Sequence, residues 1–416
     1  PFNATDLFVD EAQYWFWGQE LAWGYYSKPP LIGWLLRAST ELGDVTQFWV
    51  RLPLPLIHAG TAVLVALLGR RLFGARIGAI AGFGFVCLPA VALASLLVST
   101  DTPMLFCFAL ALLAFDHLRK GRSLGWAMVM GVAIGAGLLS KYAMIYFPIS
   151  ALIAALVLPA ARMAPRDALV AAAVALALVA PNLAWNAAND FATLQHTADN
   201  TDLERGITLD FAKLAEFVAG QFAVAGPIFF GAYLAGLGAM RRRPDIAWLA
   251  LMSLPVFVIV TVQALVSGAN ANWAAAGHVG AVLVAASVLA GRPRWLAAGL
   301  AINLAITAAL PIATLVADRW MLGDNLALER HVGQAAISRR IAEIAAAEGA
   351  DTVVADNRGL LADMFFTLRD SGLAIHAAPV AGFPPHHYAQ KHPLPPGDGT
   401  VLFVHSRSRV PDCADP

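Results

Sequence analysis

The sequence predicts an all-α polytopic membrane protein with a small α/β domain at its C-terminal end. Three observations predict this fold class. The 416 residues are 59% hydrophobic and only 13% charged, whereas soluble domains usually carry about 25% charged residues. Ten apolar stretches approach the roughly 20 residues that a helix needs to cross the hydrocarbon core of a bilayer. The loops between these stretches alternate in basic content along the chain.

The ten apolar stretches follow one another between residues 52 and 317. Several contain Gly or Pro, which neighbouring helices accommodate in a membrane bundle. We expect one more span to precede Pro1, because the chain opens on a loop-like segment. The predicted spans are 52–69, 77–99, 102–118, 124–140, 143–161, 168–187, 222–240, 246–266, 273–290 and 295–317.

The connecting loops predict the orientation of the spans. Five short loops hold 13 Lys and Arg residues, while the other connections and segment 1–51 together hold six over a much longer total length. Cytoplasmic loops of membrane proteins are enriched in Lys and Arg, so the five basic loops are predicted to be cytoplasmic. The segments predicted to lie outside are 1–51, 99–101, 140–142, 188–221, 267–272 and everything after residue 318.

The segment 1–51 is predicted to form helices that lie in the membrane interface without crossing it. It mixes acidic and amide residues with a dense set of aromatic residues, among them the run Tyr14–Trp17. Aromatic rings collect at headgroup level in membrane proteins, so an aromatic belt that anchors the bundle explains most of these rings. Residues 1–317 are therefore predicted to form one transmembrane domain.

After residue 318 the composition becomes that of a small soluble α/β domain, residues 318–416. An Ala-rich helix is predicted over 334–348, ending at Gly349, and a second helix over 358–370. Short strands are predicted at 352–356, 373–376 and 401–405, and the Pro-rich stretch 379–397 is predicted to be a loop.

Composition also excludes several classes of function. The formal net charge is zero, so nucleic acid is not an expected partner. Two of the three cysteines, Cys87 and Cys107, lie in apolar stretches, which argues against a disulfide framework or a zinc cluster. No internal repeat of fixed period is present, which argues against transporter folds that are built from repeats.

Polar residues collect at the predicted outer ends of the spans, where ionisable groups close to lipid are costly and commonly functional. The adjacent carboxylates Asp10 and Glu11 could accept a proton from a substrate, or simply mark a helix N-terminus. Lys28 stands before Pro29-Pro30, which hold the preceding residue in extended conformation. Lys28 could therefore be a fixed cation that binds a phosphate, or it could be an ordinary lysine of the membrane interface.

Three further clusters lie on the same predicted side. Asp101, before Pro103, suits a helix N-cap as well as a catalytic carboxylate. Lys141 lies in a tight outer hairpin, where the positive-inside rule does not explain it. The 182–200 region contains Asn189 and His196, although a lone histidine is more often structural than a ligand. Carboxylates, lysines and amides on one side suit a reaction that activates an acceptor and stabilises a phosphate leaving group.

These residues resemble those of glycosyltransferase family 39, which includes the dolichyl-phosphate-mannose-protein mannosyltransferases and bacterial lipid A transferases for aminoarabinose and galacturonic acid. The resemblance covers roughly residues 1–200 in motif order, and the pattern of spans extends it to about residue 317. It rests on Asp10–Trp15, Tyr25–Leu31, Ser99–Pro103 and Gly137–Tyr142 taken together. It implies a GT-C fold, in which the first large outer loop forms interfacial helices and a soluble domain lies outside.

The resemblance also implies roles for individual residues. Asp10 would be the catalytic base with Glu11 beside it, and Asp101 the second acidic residue. Lys28 and Lys141 would contact the phosphate of the donor. Candidate substrate-binding residues are Tyr14, Tyr26, Asn189 and His196.

A bound metal is not favoured by the same resemblance, and no other cofactor is predicted. In the aminoarabinose transferases an acidic residue precedes the lysine of the Lys-Pro-Pro motif and helps to bind a metal together with a later histidine. Ser27 stands at that position here, so half of the pair is absent even if His196 matches the histidine.

The predicted function is therefore inverting transfer of a monosaccharide from a polyprenyl-phosphate carrier to a lipid A, lipopolysaccharide or other glycan acceptor. The predicted location is the bacterial inner membrane, with residues 1–317 as the catalytic domain and the active site on the periplasmic face. A protein O-mannosyltransferase differs only in the acceptor and stays an alternative. A lipid-linked-sugar flippase or transporter would place charges along the middle of the spans, whereas the clearest charges lie at the outer ends.

Overall fold

A computed structural model of the protein describes residues 3–199, 209–382, 384–397 and 400–405. The chain divides into two compact units. The bundle unit consists of Ser27–Ile32 and Arg51–Pro311, and the terminal unit consists of Pro1–Tyr26, Gly33–Val50 and Ile312–Pro416. The division into functional domains at residues 317 and 318 stays a prediction.

Helices form nearly all of the described chain up to residue 315. They are α1 Val9–Gln19, α2 Leu31–Leu42, α3 Gln47–Arg51, α4 Pro53–Phe73, α5 Ala75–Val86, α6 Pro89–Ala94, α7 Asp101–Lys120, α8 Leu124–Ser140, α9 Tyr146–Val157, α10 Pro165–Ala188, α11 Ala192–Asp199, α12 Phe211–Ala225, α13 Pro227–Leu237, α14 Pro244–Val266, α15 Ala275–Leu289 and α16 Pro293–Leu315.

The polytopic helical fold is confirmed. Six helices among the described residues are long and apolar enough to cross a membrane, and the bent pair α12 and α13 adds a seventh span if it is counted as one. Shorter apolar helices occupy the remaining predicted spans, at Ala75–Val86, Leu124–Ser140 and Tyr142–Val157. Each of the ten predicted stretches therefore contains at least one apolar helix.

Two of the predicted spans are not continuous helices, and here the sequence-based prediction is wrong. The stretch 77–99 breaks after Val86, because Pro89 holds Leu88 in extended conformation (φ −62°, ψ 130°) before α6 begins. The stretch 222–240 bends by 108° between α12 and α13. At that bend Gly226 adopts φ +81°, a conformation that favours glycine, and Pro227 starts the next helix.

The predicted loops also contain unexpected helices. The loop 188–221 includes α11 and most of α12, while residues 200–208 of that loop lie outside the described residues. The Pro-rich stretch 379–397 includes a short helix, His387–Lys391, whose N-terminus is capped by the His386 side chain. Proline frequency alone therefore overestimated the loop at this point.

Small residues allow the helices of the bundle unit to pack closely. Gly78 and Gly82 lie on α5 four residues apart, and a Cβ atom added there would come within 2.5 Å of the Ala66 carbonyl oxygen and 2.8 Å of the Ala62 carbonyl oxygen on α4. Such small-residue contacts bring membrane helices together without side chains between them. Helix α7 packs against α4, α8 and α15, and it is the most enclosed of the long spans, with 83% of its apolar window buried.

The terminal unit contains the α/β part of the fold. Its remaining elements are β1 Met321–Leu322, β2 Asn325–Leu326, α17 Gln334–Glu348, β3 Thr352–Ala355, α18 Arg358–Thr367, β4 Ala374–Ala377, α19 His387–Lys391 and β5 Val401–Val404. Strands β4, β3 and β5 form a parallel sheet in that order. The predicted Ala-rich helix, its end at Gly349 and the three strands are all confirmed.

The aromatic run of α1 is buried in protein, and for these rings the aromatic-belt interpretation is wrong. Trp15 packs edge-on against Phe366 with ring centroids 5.0 Å apart, and Phe16 packs against Phe365 at 4.4 Å, so α1 lies on α18. Trp17 is fully buried. Sequence separation hid these contacts, because the partner rings lie about 350 residues further along the chain.

Candidate functional site

Asp101 is the first residue of α7, and the structure distinguishes between its two predicted roles. The Ser99 hydroxyl accepts a hydrogen bond from the Asp101 backbone N–H at 3.1 Å, so Ser99 satisfies a backbone donor at this helix start. The Asp101 carboxylate accepts the Ser99 hydroxyl at 3.3 Å through Oδ2, and its other partners come from other elements of the bundle unit. The N-cap interpretation of this carboxylate is therefore wrong.

Lys141 pairs directly with Asp101. Its Nζ atom lies 2.7 Å from Asp101 Oδ1, with the lysine side chain 21% exposed and the aspartate side chain 10% exposed. Lys141 directly follows α8 as its C-cap residue, where the helix dipole favours a cation. The Ser140 hydroxyl donates to the Thr100 carbonyl oxygen at 2.7 Å and holds the end of α8 against the start of α7.

A third side chain completes this group. Asn272, in the short connection between α14 and α15, donates from Nδ2 to Asp101 Oδ2 at 3.1 Å. One carboxylate oxygen of Asp101 thus pairs with the Lys141 ammonium group, and the other accepts a hydrogen bond from the Asn272 amide. These two contacts fix the plane of the carboxylate. We name Asp101, Lys141 and Asn272 the outer cluster, because the sequence places all three at predicted outer ends of spans.

The polar residues of α10 form a separate network beside Lys141. Tyr142 donates to Asn182 Oδ1 at 2.9 Å and accepts from Asn186 Nδ2 at 3.1 Å. Both asparagines are fully buried within the apolar helix. Buried amides in a membrane helix are costly unless they are hydrogen-bonded, so this network holds α10 and the residue that follows Lys141 in a defined position.

The remaining predicted residues of the bundle unit occupy other positions. Lys28 is half-buried at a bend in the segment Ser27–Ile32. Asn189 follows α10 and donates to the carbonyl oxygen of Trp185 at 2.8 Å, so its amide has a local structural bond. His196 lies on α11 and is half-buried. The structure therefore joins Asp101 with Lys141 and leaves the roles of these three residues as predictions.

In the terminal unit Asp10 pairs with an arginine of α18. Arg358 donates from Nη2 to Asp10 Oδ1, and its Nε donates to Gln13 Oε1 at 2.8 Å. The side chains of Arg358 and Asp10 are 38% and 42% exposed, so solvent and small molecules can reach both. Asp10 is thus an oriented carboxylate that remains accessible, as a general base must be.

Glu11, the neighbour of Asp10, has a different environment. It is 1% exposed, and its Oε2 accepts the Phe8 backbone N–H at 2.8 Å, which closes the first turn of α1. That bond is the glutamate half of a capping box. Glu11 thus has a structural bond in the protein, and its catalytic role stays a prediction.

Both predicted tyrosines of the terminal unit are buried. Tyr14 stacks at a tilt on Trp17, with centroids 5.2 Å apart, and Tyr26 donates to the Pro384 carbonyl oxygen at 2.9 Å. Tyr25 donates to the Trp17 carbonyl oxygen at 2.6 Å, and burial raises the pKa of its phenol to about 12. Tyr25 therefore stays protonated and holds the chain just before Lys28.

Sequence reasoning missed Asn272 and Arg358. Asn272 lies in a predicted outer loop beside Asn270, so two amides between apolar spans were a usable signal. Arg358 stands at the start of a predicted helix in the α/β part, and nothing nearby in sequence links it to Asp10. Across the described ranges no group of three His, Cys, Asp or Glu side chains is placed to hold a metal ion.

Comparison with known proteins gives consistent matches. Residues 27–185 match the family model of dolichyl-phosphate-mannose-protein mannosyltransferase. The lipid A galacturonosyltransferase RgtD of Rhizobium johnstonii is 43% identical over 415 residues, covering 97% of this chain and 86% of RgtD. The lipopolysaccharide core galacturonosyltransferase RgtB of the same organism is 33% identical over 199 residues, covering 46% of this chain and 40% of RgtB.

The fold also resembles a solved membrane protein. The crystal structure of ArnT from Cupriavidus metallidurans bound to undecaprenyl phosphate gives a TM-score of 0.59 at 17% identity, covering 88% of this chain and 71% of ArnT. The apo structure of the same ArnT gives 0.56 at 18% identity, covering 83% of this chain and 68% of that chain. At this level of identity the similarity is one of fold.

Proposed function

The chain belongs to the GT-C glycosyltransferases related to dolichyl-phosphate-mannose-protein mannosyltransferase, and from this premise we propose that it transfers galacturonic acid from a polyprenyl-phosphate carrier to lipid A. The observation that carries the proposal is the 43% identity to a lipid A galacturonosyltransferase over 97% of the chain. The ArnT structure with undecaprenyl phosphate supports the choice of carrier, since it shares the fold.

Asp10 is the general base in the proposed mechanism. Its carboxylate accepts the proton of the acceptor hydroxyl, and the hydroxyl oxygen attacks the anomeric carbon of the donor. The bond between that carbon and the phosphate oxygen breaks, its electron pair leaves with the lipid phosphate, and the anomeric configuration inverts. The accessible, oriented carboxylate beside Arg358 supports this assignment.

Lys28 and Lys141 are the proposed contacts for the leaving phosphate. Cations at the position where negative charge develops stabilise the transition state without further reorganisation. Lys141 is held by Asp101 at 2.7 Å while it keeps 21% of its side chain exposed, so it can also face a second anion. Asp101 acts in this mechanism by orienting Lys141, and Asn272 by orienting Asp101.

The proposed location is the bacterial inner membrane with the reaction on the periplasmic face. The 13 basic residues in five short loops support this orientation, because such loops remain in the cytoplasm. A lipid-linked donor suits that side, since nucleotide sugars are cytoplasmic substrates.

Transfer assays with purified protein test the proposal. Wild-type protein in detergent is given polyprenyl-phosphate galacturonic acid and lipid A, and modified lipid A is measured by mass spectrometry. Asp10→Asn is expected to slow transfer by about 10²- to 10⁴-fold, because an amide cannot accept the proton. Asp44→Asn, at an exposed aspartate of the same unit, is the matched control and is expected to retain activity. Unimpaired turnover by Asp10→Asn contradicts the base assignment.

A protein acceptor is the second candidate, because the family model that matches residues 27–185 is named for protein mannosyltransferase. The same assay with a polyprenyl-phosphate mannose donor and a Ser/Thr-rich peptide distinguishes the two. Sugar on the peptide and none on lipid A would replace the proposed acceptor.

A further inference from the structure

Folding stability does not explain why an arginine stands at position 358. It is the first residue of α18, where the helix dipole disfavours a cation, and the Asn357 side chain already caps this helix by accepting the Gly359 and Leu360 N–H groups. Its ion pair with Asp10 is more than a third exposed on both sides, and exposed pairs contribute little to folding. A cation has nevertheless been placed beside the proposed catalytic base.

The guanidinium group retains capacity for a ligand. Nη2 binds Asp10 and Nε binds Gln13, and these two bonds fix the plane of the group. The described residues supply no hydrogen-bond partner for Nη1. An arginine whose plane is fixed and which has donors to spare suits an anionic, planar acceptor such as a carboxylate.

We propose that Arg358 binds the carboxylate of the uronic acid on the donor and thereby selects an anionic sugar. This inference rests on the proposed function, which makes the donor a galacturonic acid. A cation beside the base would repel an amino sugar and offer nothing specific to a neutral hexose. With a uronate the sugar carboxylate becomes a second partner of Arg358, next to the base that activates the acceptor.

Tyr388 provides a second observation at the same place. Its side chain is fully buried, and its hydroxyl has no hydrogen-bond partner among the residues that the structure describes. Burial raises the pKa of this phenol, and the charges of Arg358 and Asp10 both act on it, so the phenol is neutral and lies near the ion pair. A buried hydroxyl without a partner is costly, and this cost makes Tyr388 the second residue to test beside Arg358.

Two donors that share one lipid phosphate test the inference. One carries galacturonic acid and the other carries galactose, which has a CH₂OH group where the uronate has its carboxylate. For Arg358→Met, kcat/KM with the uronate donor is expected to fall by about 10- to 100-fold, because a charge-assisted hydrogen bond is lost. With the galactose donor the expected loss is at least about 10-fold smaller, because that donor feels only the changed orientation of Asp10. Tyr388→Phe is also expected to lower kcat/KM more with the uronate donor than with the galactose donor, but by a smaller factor than Arg358→Met.

Three further variants complete the experiment. Arg358→Lys keeps the positive charge but loses the planar pair of N–H donors of a guanidinium group. Its kcat/KM with the uronate donor is expected to lie between the values for wild type and Arg358→Met. Gln13→Ala keeps the guanidinium and is expected to reduce the preference for the uronate only partly. Arg340→Met removes an arginine that pairs with Glu343 on the surface of α17, and it serves as the matched control with unchanged kinetics. If transfer from the galactose donor is too slow to follow, the inhibition constant of that donor against galacturonic acid transfer is measured in place of kcat/KM.

The outcomes separate the possible explanations. Equal losses with both donors would mean that Arg358 only orients Asp10 or binds the lipid phosphate, and would overturn the inference. Unchanged kinetics with both donors would overturn it as well. Wild-type protein that uses neither donor would instead contradict the proposed function. The lower kcat/KM of Arg358→Met could also disappear when dephosphorylated lipid A is the acceptor. That result would mean that Arg358 binds a phosphate of the acceptor and not the sugar carboxylate, and it would overturn the inference.

Discussion

Helix α7 carries an aspartate near each end, and the two carboxylates have different surroundings. Asp101 opens the helix and Asp116 lies fifteen residues later, about 22 Å along the axis at 1.5 Å per residue. Asp101 is paired with one lysine and one amide. Asp116 is completely buried and contacts three cations: Arg71 at 3.1 Å, Arg119 at 2.7 Å and Lys120 at 3.0 Å.

The Asp116 end of the bundle unit is a saturated network. Arg119 also binds Asp245 of α14 at 2.7 Å, and its guanidinium lies 4.4 Å from the centre of the Trp248 ring. The network therefore connects α4, α7 and α14. We name Asp116 with Arg71, Arg119, Lys120 and Asp245 the inner network, because its members other than Asp116 stand in predicted cytoplasmic loops. Each buried charge in it has several partners, which is what a structural ion network requires.

The outer cluster is less complete, and that difference indicates function. One aspartate holds one lysine, and the lysine retains exposed surface that a second anion can contact. Exposure does not distinguish the two ends, because Lys120 of the inner network is 44% exposed; the difference is that Asp116 faces three cations and Asp101 faces one lysine and a neutral amide. Under the proposed function, the outer end of α7 serves catalysis and the inner end serves assembly.

Labelling of single cysteines gives the largest expected contrast between the two ends. Exposed positions Arg122 and Arg242 belong to the inner side, and exposed Gln195 and Asn270 to the outer side. Each is changed to cysteine in a Cys413→Ser background, in which Cys87 and Cys107 are buried. In intact cells an impermeant thiol reagent is expected to label the outer pair and not the inner pair. The reverse pattern would put the outer cluster in the cytoplasm and contradict the proposed orientation.

Asp116→Asn is expected to destabilise the protein strongly. Removing the buried carboxylate leaves the three cations of the inner network with Asp245 as the one remaining carboxylate of that network, which costs about 3–5 kcal/mol. Thermal unfolding in detergent measures the effect. Asp245→Asn is the control, because its side chain is 40% exposed and its loss is expected to cost about 1 kcal/mol or less. A smaller loss of stability for Asp116→Asn than for Asp245→Asn would show that the inner network is not structural.

Much of the fold could be predicted from the sequence, and the errors have one physical cause. The spans follow from apolar length and charge alternation, both of which are local in sequence. The breaks at Pro89 and Pro227 could not be predicted, because proline within an apolar stretch is also compatible with a continuous membrane helix. Which outcome occurs depends on the neighbouring helices that pack at that point.

The site was predictable only in part, for a related reason. Asp101 and Lys141 stand out because they lie at predicted outer ends of spans, where the positive-inside rule does not explain a lysine. The predicted topology put both residues on the outer side, but it did not predict their pairing across 40 residues of sequence. Asn272 lies 171 residues from Asp101, and Arg358 lies 348 residues from Asp10. Contacts at such separations depend on tertiary packing, which no local pattern records.

Lys141→Met is expected to reduce catalysis while folding is retained. Loss of a preorganised cation at the leaving group typically slows turnover by about 10²- to 10³-fold. Kinetics with donor and acceptor varied separately test this, and the dependence on donor should change more than that on acceptor. Lys28→Met examines the second proposed phosphate contact in the same assay. An unchanged dependence on donor would remove Lys141 from the phosphate site.

Asp101→Asn is expected to have a smaller effect on catalysis than Lys141→Met, because the aspartate acts through the lysine. An asparagine can still accept a hydrogen bond from Lys141 but no longer fixes it by charge, so we expect a loss of about 10- to 100-fold, the size of one charge-assisted bond. Asn272→Ala should reproduce a weaker form of the same defect. A larger loss for Asp101→Asn than for Lys141→Met would give the carboxylate a direct role in the chemistry.

Lys120→Met is expected to have the smallest effect, and it is the matched partner of Lys141→Met. Both lysines pair with an aspartate of α7, at 3.0 Å for Lys120 and 2.7 Å for Lys141, and both variants remove a charge but keep an aliphatic chain. Lys120 is 44% exposed and Asp116 retains two arginines, so its loss is expected to cost about 1 kcal/mol or less. Catalysis should be unchanged, because the inner network contacts no proposed substrate group. Activity and unfolding temperature are measured for both variants in one preparation. If Lys120→Met slows turnover as Lys141→Met does, then the two ends of α7 are coupled, and the separation of catalysis from assembly is wrong.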